Sequence, residues 1–546
     1  MKSLSYYFAI FFISLSAIVN AQESFNIDEV TNNIYYKEFS KHLEYLASDE
    51  LKGRDTGSEG YAKAAEYIAQ QFKNSGLEPF GDDNTYFQRV PMLKQFIDES
   101  SISFYMENNS GKKFANYGED ISFLINPDLT KVDQNQQMVF VGYGIIDSSM
   151  NINDYEGLDV KGKTVIAALG APKKFKDYNS FDPIEKVQAA ISQGAEGLIL
   201  FYPKGFFQKI VYGQMHKFLD QPTITLNDTI LKERMFEFDL KIAAFAHKDY
   251  INEVFKLNHL NLSKDLKKIS KGEKRSKELK SNVICKYEIK TQNMDCKNVV
   301  AIIPGEDKNL IDEYFIVGAH LDHVGVGTEV KGDSIYNGMW DNATGSATLL
   351  SMAKTYRDAG IKPKRSLVFV CYTGEEKGLL GSTYFANKKD FDGNMVANLN
   401  IDMLGGLFPT KDIIPMGYSH STLSEAVDYS AKKLNFIVDD NKEEENEYLF
   451  RSDQASFLQL GVPVINVANG YTAVDPKLDG FKEIEKWMKK KYHSPFDDLN
   501  QDYSQEAFYK AIKLSFLITY YSTNVLEEIK WNEDSWIFNR YVLQNE

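Results

Sequence analysis

His320, Asp341, Glu376, Asp402 and His493 follow one another through the C-terminal half of the chain, each at the end of an apolar run or at a turn, and Glu375 stands directly beside Glu376. Two imidazoles, three carboxylates and one spare acid make a nitrogen and oxygen donor set without thiolates, which suits catalytic rather than structural zinc. Five ligands serve two ions only if one carboxylate bridges, and two ions roughly 3.5–4 Å apart can clamp a water and polarise an amide carbonyl. Adjacent residues on extended backbone point to opposite sides. One of the two glutamates can therefore face the metals while the other moves a proton from water to a leaving amine. Asp322, two residues after His320, falls on the same side if the strand continues. There its carboxylate would accept a hydrogen bond from the imidazole and orient it; an ordinary loop aspartate is the alternative. Any one of these residues is commonplace, and the weight rests on their joint occurrence.

The elements that position them alternate between strand and helix. Val299–Ile303, Tyr314–Gly318, Ser366–Tyr372, Val396–Ile401 and Val462–Val467 read as strands, and Ala343–Tyr356, Leu423–Leu434, Ala455–Leu460 and Ser504–Val525 as helices. Continuous apolar strands separated by helices indicate a largely parallel sheet covered on both faces, with functional groups at the strands' carboxyl ends. His320, Glu375, Glu376 and Asp402 each follow such a strand and should converge. Upstream, Phe39–Leu77 is helical in its spacing around the polar loop Asp49–Ser58, and Phe87–Phe123 alternates like strands. From Gln137 to about Lys280, strand, turn, strand and helix patterns describe a compact inserted module.

The 546 residues, 43% hydrophobic, suffice for two to four domains. Met1-Lys2, an apolar stretch from Tyr6 to Val19 and the small residues before Gln22 describe a signal peptide over residues 1–21, too short for a spanning helix. No later run is apolar enough to span, so the mature chain is expected to be exported, periplasmic or secreted, without stable membrane insertion. The net charge of −15 disfavours nucleic acid. Cys371 reads as a core residue; Cys285 and Cys296 either form a disulfide across a hairpin or merely pack. His323 and His420 read as surface or supporting residues.

Five contexts carry a resemblance: Gly318-Ala319-His320-Leu321-Asp322, Asp341-Asn342-Ala343-Thr344-Gly345, Gly374-Glu375-Glu376, Asn400-Ile401-Asp402 and Tyr492-His493-Ser494-Pro495. Together they resemble the di-zinc aminopeptidase and glutamate carboxypeptidase superfamily. The resemblance implies a three-layer α/β/α domain with a mostly parallel mixed sheet, split as 22–127 and 276–546, and a β-rich protease-associated insertion over 128–275. It implies two Zn2+ per chain and peptide substrates, with Asp341 bridging. His320 and Asp402 would complete one set and Glu376 and His493 the other. Glu375 would be the general base, and Asp322 would orient His320. Arg451-Ser452-Asp453 is similar to a segment lining the site, which makes Tyr448 and Arg451 substrate-binding candidates. Trp340, where the family often has a smaller polar residue, and Gln454, in place of a frequent histidine, are expected to reshape the pocket. The reading is an aminopeptidase. A carboxypeptidase of the same superfamily, a glutaminyl cyclase and a non-catalytic receptor-like protein are the rivals, and the oligomeric state stays open.

Overall fold

A computed structural model of the chain describes residues 26–34, 36–148, 151–173, 175, 183–203, 208–228, 231, 239–388, 393–440 and 448–542. The signal peptide expected at 1–21 and the acidic run Glu443-Glu444-Glu445 lie outside them. The chain forms two compact units, one from residues 1–90 with 295–546 and one from 91–294.

The first unit begins with helix α1 (Tyr36–Leu46), a 3-10 turn (Asp49–Arg54) and helix α2 (Glu59–Asn74). Ser58 starts α2 by accepting a hydrogen bond from the Tyr61 amide, one of the donors a helix N-terminus leaves unmatched.

The second unit takes most of strand β1 (Phe87–Asn108) and then β2 (Ile121–Phe123), β3 (Lys131–Phe140), β4 (Thr164–Ala168), α3 (Pro183–Ser192), β5 (Gly197–Phe201), α4 (Gln208–Leu219), β6 (Ile242–Ala246) and α5 (Lys248–Leu257). Strands β3, β4, β5 and β6 pair in parallel, and β2 closes one edge antiparallel. The unit is wider than the 128–275 read from sequence. Its boundaries fall inside the two longest strands, β1 and β7 (Lys277–Ile303), which carry no loop-like composition to mark an end. Cys285 and Cys296 both lie on β7 rather than on two arms of a hairpin, and all three cysteines are free and buried.

The rest of the first unit adds β8 (Glu313–His320), α6 (Thr344–Asp358), β9 (Ser366–Tyr372), α7 (Leu380–Asn387), β10 (Asn394–Asn400), β11 (Asp412–Met416), α8 (Leu423–Leu434), α9 (Gln454–Leu458), β12 (Val464–Asn469), α10 (Gly480–Lys490) and α11 (Gln505–Asn524). The strand order is β11-β12-β10-β8-β9-β7. β12, β10, β8 and β9 are mutually parallel; β11 and the Val299–Ile303 part of β7 run antiparallel at the two sides. Phe315, Val317 and Ala319 of β8 pack with α1, α2, α6 and α11, whereas Tyr314 and Ile316 pack with α7 and α9. A period of two with both phases apolar is what a strand buried on both faces requires. No described helix is long and apolar enough to cross a membrane.

Candidate metal centre

The parallel register brings the strand ends level. His320, the last residue of β8, pairs with Tyr372, the last of β9, and Gly318 pairs with Asn400, the last of β10. Glu375, Glu376 and Asp402 thus leave the sheet on the edge where β8 delivers His320. Asp341 comes from the turn entering α6. Asn342 ties that turn down by donating to the Ile401 carbonyl at 2.9 Å and accepting from the Gly345 amide at 3.0 Å. Position 345 must be glycine, because a Cβ there would lie 2.4 Å from both Asn342 Oδ1 and the Ile401 carbonyl oxygen. His493 follows α10 with a left-handed backbone (φ 49°), unusual for a residue with a side chain, and its ring stacks on Tyr492 at 3.9 Å.

The donors form two groups that share Asp341. Asp341 Oδ1 lies 3.3 Å from His320 Nε2, which is also 3.3 Å from Asp402 Oδ1. Asp341 Oδ2 lies 3.2 Å from His493 Nε2 and 3.8 Å from His323 Nδ1. Glu376 meets the same two imidazoles, at 3.1 Å from His493 and 2.8 Å from His323. Within each group the ligand atoms all lie within 4.8 Å of one another. The set is imidazole and carboxylate only, a match for zinc. Burial opposes the charge on Asp341, but the His320 and His493 imidazoles hold its carboxyl well below the usual range. Glu375 behaves oppositely. Burial pushes its carboxyl well above the usual range against the pull of His320, and Asp453, Asp402 and Glu376 add to the push.

Four sequence expectations change. His323 is not a surface residue: it is fully buried and belongs to the group with Asp341, Glu376 and His493. His420 is buried too, but it pairs through Nδ1 with Ser535 Oγ at 2.9 Å and is in neither group. Asp322 does not reach the imidazole with its carboxylate; its main-chain oxygen takes the His320 Nδ1 contact at 3.1 Å. The carboxylate instead accepts Thr56 Oγ1 at 2.9 Å and the amides of Glu375 and Glu376 at 3.2 and 3.3 Å, which fixes the backbone of both glutamates. Gln454 is fully buried and its amide is spent within the protein: its Oε1 accepts from Asn400 Nδ2 at 2.8 Å and its Nε2 donates to the Leu449 carbonyl at 3.1 Å.

Tyr448 and Arg451 lie together at the surface, the guanidinium 4.9 Å over the phenol ring, and neither is in a donor group. Their neighbour Ser452 does engage the site, donating to Asp402 Oδ2 at 2.7 Å while accepting from Asn400 Nδ2 at 2.9 Å.

Two supporting residues escaped the sequence reading. Asp497, fully buried, accepts the amides of Trp340 and Asp341. Arg54, also fully buried, donates to the carbonyls of Leu46, Leu321, Asn337 and Gly338. The only signal for Asp497 was its place four residues after His493.

Residues 298–516 match the model of peptidase family M28. Leupeptin-inactivating enzyme 1 of Streptomyces exfoliatus is 30% identical over 213 residues, covering 37% of this chain and 43% of that protein. A probable zinc metalloprotease of Pyrenophora teres f. teres is 36% identical over 109 residues, 20% of this chain and 22% of that one. The chain thus spans less than half the length of these curated relatives. The fold is that of the aminopeptidase from Aneurinibacillus sp. strain AM-1, with a TM-score of 0.53, 19% identity and coverage of 93% and 99% of the two chains. The segment 298–516, which carries both donor groups, is thus similar to peptidase family M28.

Proposed function

We propose that this chain is an exported two-zinc aminopeptidase, removing residues from the N-termini of peptides. The observation that carries the reading is the division of the Asp341 carboxylate, one oxygen toward His320 and the other toward His493 and His323. His320, Asp341 and Asp402 would hold one ion, and Asp341, Glu376 and His493, with His323 against them, the other. Bound zinc supplies Lewis acidity at the scissile carbonyl and a nucleophile from water near neutral pH.

The remaining work falls to the chain. Glu375, free of both donor groups and with its carboxyl raised by burial, takes a proton from the attacking water and gives it to the leaving amine. Asp322 holds the Glu375 and Glu376 amides so that the base and its ligand neighbour keep separate directions. Ser452 fixes the second oxygen of Asp402, leaving the first for His320 and its ion. Among the described residues, none of the 91–294 unit belongs to this set.

The test is zinc content by mass spectrometry on the purified chain, combined with hydrolysis of aminoacyl-nitroanilides before and after chelation. About two zinc per chain and chelator-sensitive release from free N-termini, but not from N-blocked peptides, is the expected result. Cleavage that survives an N-terminal block and requires a free carboxylate would replace the aminopeptidase reading with a carboxypeptidase one.

A further inference from the structure

A cavity lies beside the start of β9, at the sheet edge away from the metal donors. From Ser366 to Tyr372 the strand covers about 20 Å before the chain reaches Glu375 and Glu376. The walls are the first turn of α8 (Leu423, Glu425, Ala426), the last turn of α11 with its cap (Tyr521, Ser522, Val525) and the segment 527–530. Together they bound about 410 Å³, within the roughly 300–1,000 Å³ usual for small-molecule sites. Arg365, fully buried just before β9, donates to the carbonyls of Ser522 at 3.2 Å, Glu527 at 2.7 Å and Val525. Thr422 donates its amide to the Lys530 carbonyl at 2.9 Å, and its hydroxyl accepts the Lys530 amide at 3.0 Å. Both ends of the 527–530 wall are thus tied down, and the cavity is preformed.

The lining favours a cation with an apolar body. Glu425, Glu527 and Glu528 set three carboxylates around it against one ammonium, that of Lys530. Helix α11 ends here, and a helix C-terminus adds partial negative charge. Tyr521, whose hydroxyl donates to Glu425 Oε2 at 3.3 Å, supplies an aromatic ring beside the acids, a pairing that suits alkylammonium groups. Ser522 is a separate observation. It is 1% exposed, and its hydroxyl has no hydrogen-bond partner among the described residues. Ser515, Thr519 and Thr523 on the same helix each donate to the carbonyl four residues earlier, at 3.1, 2.8 and 2.8 Å. A buried polar group left unmatched is rare in folded proteins, and a serine oxygen accepts readily from an ammonium.

We infer that this cavity binds an aliphatic di- or polyamine. Its ammonium groups pair with Glu425, Glu527 and Glu528, one of them donating to the Ser522 hydroxyl, and its methylenes lie along Leu423, Ala426 and Val525. The site is independent of the metal chemistry, since no residue lining it belongs to a donor group.

The experiment is calorimetric titration of the zinc-loaded chain with spermidine, putrescine, L-leucine and magnesium chloride at physiological ionic strength. The proteins are wild type, Ser522→Ala, the double variant Glu425→Gln/Glu528→Gln and the control Glu44→Gln/Glu50→Gln. Glu425 and Glu528 are exposed, so their replacement leaves the fold intact should Ser522→Ala disturb it. Glu44 and Glu50 are exposed acids outside the cavity, and the control removes the same charge. Saturable one-site binding of spermidine or putrescine is expected. It should weaken about tenfold or more in Glu425→Gln/Glu528→Gln and about threefold to tenfold in Ser522→Ala, and stay within about twofold in the control. Equal weakening in the control, or equally tight binding of magnesium, would reduce the effect to diffuse attraction by an acidic chain and overturn the site. Amine binding unmoved by both cavity variants places the amine elsewhere and overturns it too. Leucine binding more tightly than either amine overturns the ligand class, and absence of saturable amine binding overturns the proposal outright.

Discussion

The buried carboxylate of Asp497 accepts the main-chain amide of Asp341 at 3.0 Å, and the amide of Trp340 at 2.9 Å. Gln501 also donates to this carboxylate and accepts the Trp487 indole N–H at 2.6 Å. One acid thus links the turn carrying the shared ligand to the aromatic wall beside it. Asp497→Asn keeps the volume but turns one acceptor oxygen into a donor facing amides. Supports of this kind typically cost 10–100-fold in metal affinity or activity when removed. The expected outcome is a loss in that range in zinc affinity, read by competition with a chromogenic chelator, with little change in far-ultraviolet circular dichroism. Unchanged affinity would assign Asp497 to folding alone.

Glu375 and Asp341 should separate chemistry from metal binding. Glu375→Gln removes the base but no ligand, so turnover should fall by at least 10²–10⁴-fold, the usual contribution of general acid–base catalysis, with zinc content retained. Asp341→Asn weakens both donor groups at once, so zinc content itself should drop. If Asp341→Asn keeps the full zinc complement, the shared-ligand role is wrong.

Much of this site was legible before any coordinates. Periodicity placed β8, β9, β10, α6 and α11 within a few residues, because strands buried on both faces and long helices leave strong patterns. Three of the five ligand contexts, those of His320, Glu376 and Asp402, converge because parallel strands deliver their carboxyl ends to one edge, whereas Asp341 and His493 come from turns beside helices. What periodicity could not show was burial of polar groups. His323 and Arg54 lie in glycine-rich polar loops that read as surface, yet both are fully buried. Arg54 in particular is satisfied by main-chain carbonyls, which have no sequence signature. The Asp322 carboxylate was placed on the wrong partner for a related reason. The chain turns after His320, and the turn gives the imidazole the carbonyl of Asp322 instead of its side chain.

The Arg54 guanidinium should be the costliest side chain to lose outside the ligand set. Burial pulls its pKa down to about 10, while Asp497, Asp322, Asp341 and Glu376 hold the charge in place. Arg54→Met leaves carbonyls from α1, from the turn after β8 and from the turn before Asp341 without a donor. A loss on the order of 3 kcal/mol or more is expected, since each unmatched buried group costs about 1–3 kcal/mol. Arg54→Lys should recover only part, because an ammonium lacks the planar fork that spans several acceptors. Urea denaturation of the metal-free variants is the measurement, and a midpoint equal to wild type for Arg54→Met would refute the assignment.

His42 should give the first unit an acid-sensitive component independent of the metal centre. It is 3% exposed on α1, and its Nδ1 lies 2.8 Å from the Tyr67 hydroxyl. Burial, aided by Lys41 and Lys354, lowers its pKa from 6.5 to about 4. Above pH 6.5 the imidazole is neutral in both folded and unfolded chains, and its contribution is complete. Between pH 6.5 and 4 the unfolded chain binds the proton and the folded chain does not, so stability falls as the pH falls. The full loss, reached below pH 4, is up to about 3 kcal/mol at 1.36 kcal/mol per pKa unit. His42→Gln removes this titration. Its stability deficit relative to wild type, read from urea midpoints, should therefore shrink between pH 7.5 and pH 4.5. A deficit that stays constant across that range would mean His42 titrates alike in both states, and the buried neutral imidazole would have to be abandoned.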